Sequence, residues 1–191
     1  MAEELLDKIT SKKLAEKVPA EKCWAITAKA LTKLIASRVH LTRPQFGEGD
    51  GIVAPVMGWE KYQEIQEKIF SEGGMKFIPW VKETFNIPVE DAIGAAKLAD
   101  VAGKLTTGSE SEGKIVEATP ERSVLRSTGC AYWERHKESG IAPELSSCPV
   151  ACQAYFEDGL KAVNPKILFK LTKSFLWGDP YCEWVFEFNE E

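Results

Sequence analysis

Lys166 to Phe188 reads KILFKLTKSFLWGDPYCEWVFEF. Two alternating apolar–polar runs, Lys166 to Trp177 and Tyr181 to Phe188, flank Gly178-Asp179. That is the pattern of an antiparallel hairpin. A two-residue turn with Gly first predicts type II′ geometry. The resulting register pairs Phe175 with Cys182, Leu171 with Phe186 and Phe169 with Phe188 on one face. On the other it sets Lys170 opposite Glu187 and Ser174 opposite Glu183. Each face is consistent in character, as a correct register requires. Cys182 is then turned inward beside Trp184.

Working outward, Lys114 to Ala118 and Arg122 to Thr128 form a shorter hairpin around Thr119-Pro120-Glu121. Two helices are expected between the hairpins. One enters at Thr128-Gly129 and carries Tyr132, Trp133 and Glu134. The other starts at Ser146-Ser147-Cys148-Pro149, because Pro is well tolerated at the first helical position. Both must cover the inward face. The first hundred residues read as helical: 3–17, then 20–39 with Trp24, Thr27, Leu31, Leu34, Ile35 and Arg38 on one stripe. The segment from Arg43 to Gly58 is rich in Gly and Pro and reads as a long irregular connection. Trp59 to Phe70 reads as a helix stopped at Gly73-Gly74. Met75 to Phe85 reads as a second helix ended by Asn86, and an alanine-rich helix follows from Val89 to about Leu105. The expectation is an α+β fold: a helical N-terminal half, then an antiparallel sheet (hairpin, two helices, hairpin) with helices packed on one face. Residues 1–107 form the helical portion and 108–191 the α+β portion of one compact unit.

Composition limits the function. The chain has 191 residues, 44% hydrophobic and 28% charged, as ordinary globular proteins do. A net charge of -5 argues against a nucleic-acid partner, which needs a basic surface. No apolar run is long enough to span a bilayer. The acidic start Met1-Ala2-Glu3-Glu4 lacks a signal core, so a cytoplasmic protein is expected. Five cysteines in such a chain favour free thiols, a metal site or catalysis over a disulfide framework.

Four of the five fall in the α+β portion: Cys130, Cys148, Cys152 and Cys182. Cys130 and Glu134 are four apart on one helix face, as are Cys148 and Cys152. Three readings stay open. The thiolates with Glu134 would bind zinc, although no CxxC pair is present. One thiolate would act as a nucleophile, activated by its helix terminus or a neighbouring base. Or the thiols merely pack, as buried Cys often does. Cys23 borders the 20–39 stripe and reads as packing. His136 points away from Cys130, and His40 reads as a solvated helix end. Phosphate loops, dinucleotide fingerprints, HExxH and GxSxG elements do not occur in the sequence.

A Cys in a helix after a hairpin, a second about twenty residues on, and then Trp177-Gly178-Asp179-Pro180-Tyr181-Cys182-Glu183-Trp184-Val185-Phe186 resembles two related families. One is the L-2-amino-thiazoline-4-carboxylic acid hydrolase-like family, whose members end in a similar Gly-Asp-x-x-Cys strand. The other is the 4-vinyl reductase domain, a small-molecule-binding module of aromatic-responsive regulators and pigment biosynthesis. The likeness spans roughly Glu112 to Phe188. It implies helices on one face of an antiparallel sheet with a small-molecule pocket between them. In such regulators zinc is held by cysteines and a glutamate, so Cys182 corresponds to the last cysteine and Cys148 to the first. The regulators carry another cysteine eight residues before the last; here that position is Ser174, and Cys130 or Cys152 would have to complete the set. For the hydrolase family a cysteine is expected to matter for ring opening.

Two functions therefore stand against each other. One is hydrolysis of a C–N bond in a small cyclic substrate, with Cys130, Cys148 or Cys182 as the reactive group and Glu134 as acid or base. The other is a non-catalytic sensor or carrier of an apolar or aromatic ligand, walled by Tyr132, Trp133, Tyr155, Phe156 and Trp184, with a structural zinc on Cys130, Cys148, Cys152 and Cys182. The 20–39 stripe points to a homodimer through the N-terminal helices. If the cysteines form a site, Cys182→Ser abolishes metal binding or activity while Cys23→Ser leaves it intact. Metal analysis and thiol titration of the two variants check this; equal small effects would leave no site there.

Overall fold

The computed structural model describes residues 59–107, 112–138 and 148–189. The helices expected at 3–17 and 20–39, the connection before Gly58, Cys23, His40 and the dimer stripe lie outside the described residues. In chain order the elements are α1 (Trp59–Phe85), α2 (Ala92–Thr107), β1 (Glu112–Ala118), β2 (Arg122–Gly129), α3 (Ala131–Glu138), α4 (Cys148–Val163), β3 (Ile167–Lys173), a 3₁₀ turn (Phe175–Trp177) and β4 (Cys182–Phe188). The strands form one sheet in the order β1-β2-β4-β3, antiparallel throughout. The α+β class read from the sequence is the class observed.

The stop expected at Gly73-Gly74 is not there. One helix runs from Trp59 to Phe85 and passes through both glycines and Pro79. Gly74 serves a close crossing instead of a stop. A Cβ on Gly74 would lie 2.0 Å from the Tyr155 carbonyl oxygen, and one on Gly159 would lie 2.5 Å from Ile78 Cδ1. With no side chain at either position, α1 and α4 touch backbone to backbone. The Ser71 hydroxyl donates to Asp158 across the same contact at 2.6 Å. The helix ends where Asn86 was expected to end it. Asn86 is left-handed (φ 50), its N–H reaches Glu83 O, and Ile87 N–H reaches Lys82 O. These are the paired bonds of a Schellman C-cap. α2 begins three residues later than Val89, because Asp91 is its cap: the carboxylate accepts from Gly94 N at 2.7 Å.

α2 lies on β1, β2 and β4, α4 lies against β3, and α1 packs chiefly along α4. Ala92, Ala95, Ala96, Ala99 and Ala102 are all buried, so α2 can sit low on the sheet. Ile78, Val81, Leu98, Leu125, Leu160, Ile167 and Phe186 fill the same core. β3 is an edge strand, and α4 covers part of that edge. Gln153 Oε1 accepts from Leu171 N at 2.8 Å, and its Nε2 donates to Phe169 O at 3.1 Å. An otherwise open ladder is thereby satisfied.

The hairpin register is displaced by two residues from the expected one. Ile167 pairs with Phe188, Phe169 with Phe186 and Leu171 with Trp184. The connection is longer than a type II′ turn. Ser174 caps the 3₁₀ turn, Gly178 closes it at φ 88, and the Asp179 carboxylate accepts from Ser174 N at 3.0 Å. A displacement of two keeps every side chain on its face, so Cys182 and Trp184 still point inward. The charged partners change, however. On the outer face Glu183 meets Arg126 of β2 at 2.7 Å, and Glu187 approaches Arg122 at 3.8 Å. These pairs flank the Val124–Val185 pair, which is buried.

Gly74→Ala should destabilise the protein by about 2 kcal/mol or more. Overpacking costs about 1–3 kcal/mol and exceeds the gain of under ~1 kcal/mol in helix propensity once backbone has to move. At Gly73 a Cβ meets nothing within 4 Å, so Gly73→Ala should stabilise by about 0.5–1 kcal/mol. Denaturant unfolding of the two neighbours checks the pair.

Candidate functional site

The cysteines gather where the sheet runs out. β2 ends at Gly129, and Cys130 caps α3: its carbonyl accepts from Glu134 N at 3.0 Å. Its sulfur takes the N–H groups of Tyr132 and Trp133. β4 enters beside this point, with Cys182 paired to Ser127. The Cys182 sulfur accepts from Phe175 N–H and from the Ser174 hydroxyl. Cys148 opens α4, and Cys152 follows one turn later. Cys130, Cys148 and Cys182 all act electrostatically on Cys152, and Cys130 acts on Cys182. Tyr132 feels Cys148, Cys130, Tyr155 and Cys152. The four thiols and the Tyr132 hydroxyl, supplied by three helix or strand starts, therefore lie within electrostatic reach of one another.

The electrostatics run one way. Burial pushes the Cys130 thiol up despite its amide contacts, pushes Cys182 up to about 11, and pushes Cys152 well above the ordinary thiol value. Burial also raises Tyr132, and it raises Tyr155 to about 12. Among the described residues no cation acts on these five. The neutral forms are thus favoured. All four cysteines nevertheless keep some accessible surface. These side chains are desolvated by surrounding protein and still partly accessible.

The remaining expected residues divide. Glu134 turns to Lys137, 2.8 Å away, and its side chain is 44% exposed; it still influences Cys130 but does not close the group. Trp133 stacks on Phe175 at 5.7 Å with ring planes 5° apart, which holds α3 over the 3₁₀ turn. Phe156 lies on Trp184 at 4.7 Å, and Tyr155 meets Phe156 edge-on at 5.1 Å. Two participants were not foreseen. Thr106 on α2 donates to Ala102 O at 2.7 Å, so the 3.2 Å contact with the Tyr155 hydroxyl has tyrosine as donor. Ser174 is 2% exposed and holds Cys182. The spacing of eight from Cys182 marked that position, although not its hydroxyl chemistry. An apolar groove of about 450 Å³ lined by Phe85, Val101, Lys104 and Leu105 involves none of these residues.

Among the described residues no group of three or more His, Cys, Asp or Glu side chains is arranged to hold a metal ion. A hydroxyl, Ser174, stands at Cys182 where the regulators have a second thiolate. Among the described residues no helix is long and apolar enough to cross a membrane.

No family model matches the chain, and no curated protein matches it. Its fold is shared with solved structures of low sequence identity. The phenol-responsive sensory domain of the transcription activator PoxR, solved with phenol, aligns with TM-score 0.52 and 11% identity, covering 84% of this chain and 74% of that one. A trafficking protein particle complex subunit 3 from Naegleria fowleri, covalently bound to palmitic acid, aligns with TM-score 0.53 and 15% identity, covering 86% and 96%. At these identities the likeness is one of fold.

The raised thiols set a pH dependence. An unfolded thiol ionises near 9.0, whereas Cys182 in the fold holds its proton to about 11, and burial holds Cys152 well above the ordinary value too. Above pH 9 the unfolded state binds fewer protons, so stability falls as pH rises through this window and is fully retained below it. Cys152→Ala should flatten the alkaline limb of a stability–pH profile measured by urea unfolding. Over the same window, Cys182 in the native protein should alkylate slowly with iodoacetamide at pH 7.5 and faster as pH approaches 11.

Proposed function

We propose that the protein is a binding module for a small neutral ligand with an apolar or aromatic body, held at the cysteine-lined recess between α3, α4 and the end of the sheet. The observation that carries this reading is the gathering of four thiols and the Tyr132 hydroxyl that are desolvated yet still partly accessible. Thiol and aromatic groups make a soft, polarizable lining suited to apolar molecules. The likeness to a phenol-responsive sensory domain and to a subunit carrying palmitic acid supports a ligand between helices and sheet. C–N bond hydrolysis has less support. A nucleophilic cysteine needs its thiolate stabilised, and the three thiols described above are displaced in the opposite direction.

The test is a neutral fluorescent probe such as Nile red. The protein should bind it at one site and release it to small aromatic competitors. A ligand at a hundred times its Kd stabilises by about 2.7 kcal/mol, which for a chain of this size raises Tm by about 5–10 °C. Cys152→Phe, which fills the recess, should abolish probe binding while leaving a cooperative unfolding transition. Probe binding that survives Cys152→Phe unchanged would remove the site from this recess.

A further inference from the structure

Trp184 is 9% exposed, and its indole Nε1–H is the buried donor without a hydrogen-bond partner among the described residues. Buried donors are almost always paired, so one left open asks for an explanation. Its surroundings do not offer a partner. Leu125 and Leu171 flank Trp184 across the sheet, Phe156 lies on it, and a Cβ on Gly103 of α2 would come within 3.6 Å of the indole Cη2. The nearby hydroxyls are committed: Tyr155 to Thr106, and Thr106 to Ala102 O. Position links the donor to the recess. Cys182 precedes Trp184 by two residues on the same strand face. Cys152 precedes Phe156, the ring on Trp184, by one helical turn. The orphan donor thus shares a strand face with Cys182 and a ring contact with the helix face that carries Cys152.

We propose that Trp184 Nε1–H selects the ligand: a neutral molecule with a ring-sized apolar body and one hydrogen-bond acceptor, such as a ketone or ester oxygen. This rests on the small-molecule reading given above and narrows it. Among the described residues no cation acts on Cys130, Tyr132, Cys152, Tyr155 or Cys182, which favours a neutral guest. A carboxylate there would be desolvated without a counter-charge. Arg122 and Arg126 are engaged with glutamates on the outer face of the sheet. The tryptophan donates, the ligand oxygen accepts, and no bond is made or broken.

The experiment compares acetophenone with ethylbenzene, which matches its shape without the acceptor, and with benzoate, which adds a charge. Each is titrated calorimetrically into the full chain at pH 7. Acetophenone should bind about tenfold or more tightly than ethylbenzene, the scale expected when a buried open donor gains its partner. Benzoate should bind more weakly than acetophenone. Trp184→Phe keeps a ring and deletes the donor, so it should abolish the preference for acetophenone over ethylbenzene. Equal affinity for acetophenone and ethylbenzene in the unmodified protein overturns the proposal while leaving the recess a binding site. So does a preference that persists in Trp184→Phe. Failure of all three compounds to bind overturns both this proposal and the reading on which it rests. The comparison within the unmodified protein stands even if the variant folds poorly.

Discussion

The contact of Phe156 with Trp184 joins the helical layer to the sheet, and most of the architecture depends on it. The two rings lie 4.7 Å apart, with Phe169 tilted against Phe156 at 5.6 Å and Phe186 against Phe169 at 5.4 Å. Tyr155 continues the array to Phe70 of α1 at 6.5 Å. One run of aromatic contacts thereby crosses α1, α4, β3 and β4. Each such pair contributes about 0.5–1.5 kcal/mol beyond the area it buries. The contact also sets the azimuth of α4. With Phe156 turned onto Trp184, Cys152 must face the sheet one turn earlier, and Gln153 must face the β3 edge where it takes both backbone groups. The thiol group is thus a consequence of the core packing.

Alternation in β3 and β4 made the faces legible, and a face survives any even displacement. That is why Cys182 and Trp184 point as the sequence suggested although the pairing moved by two. The turn itself was not legible. Asp179 looks like a turn residue, but its carboxylate works at a distance of five residues, on Ser174 N, and lengthens the connection. Gly73-Gly74 was misleading for a similar reason. Glycine between periodic segments suggests a break, whereas here its partner is Gly159, eighty-five positions away in the chain. The helix ends with local chemistry, Asn86 and Asp91, were readable or nearly so, because a cap needs only its neighbours. The expectation that the cysteines converge followed from helix starts and strand parity. Their protonation did not, since desolvation is a property of the assembled fold.

That protonation decides what the site is suited to. Both metal binding and nucleophilic attack draw on a thiolate. The structure offers only partial help towards one: two amides at Cys130, and an amide with a hydroxyl at Cys182. At Cys130, Cys152 and Cys182 burial outweighs these contacts, and the neutral thiol is favoured. Neutral sulfur is a small polarizable hydrophobe. Beside the aromatic array it extends the apolar wall without the rigid volume of a branched side chain, and a group arranged this way accommodates a guest better than it transforms one.

The way α4 is fastened explains why the accommodating region lies where it does. Its C-terminal half is locked: Gly159 touches the backbone of α1, and Leu160 is fully buried. Asn164 beyond it donates to Val89 O at 3.1 Å. Its first turn is different, because Cys148, Pro149 and Val150 are all only partly buried. Packing at interior density leaves no room for a guest beside Gly159 and Ile78. The less enclosed surface of α4 is its N-terminal turn. The same small-residue contact that tightens one end of the helix pair therefore leaves the other end less enclosed, and that end carries the sulfurs.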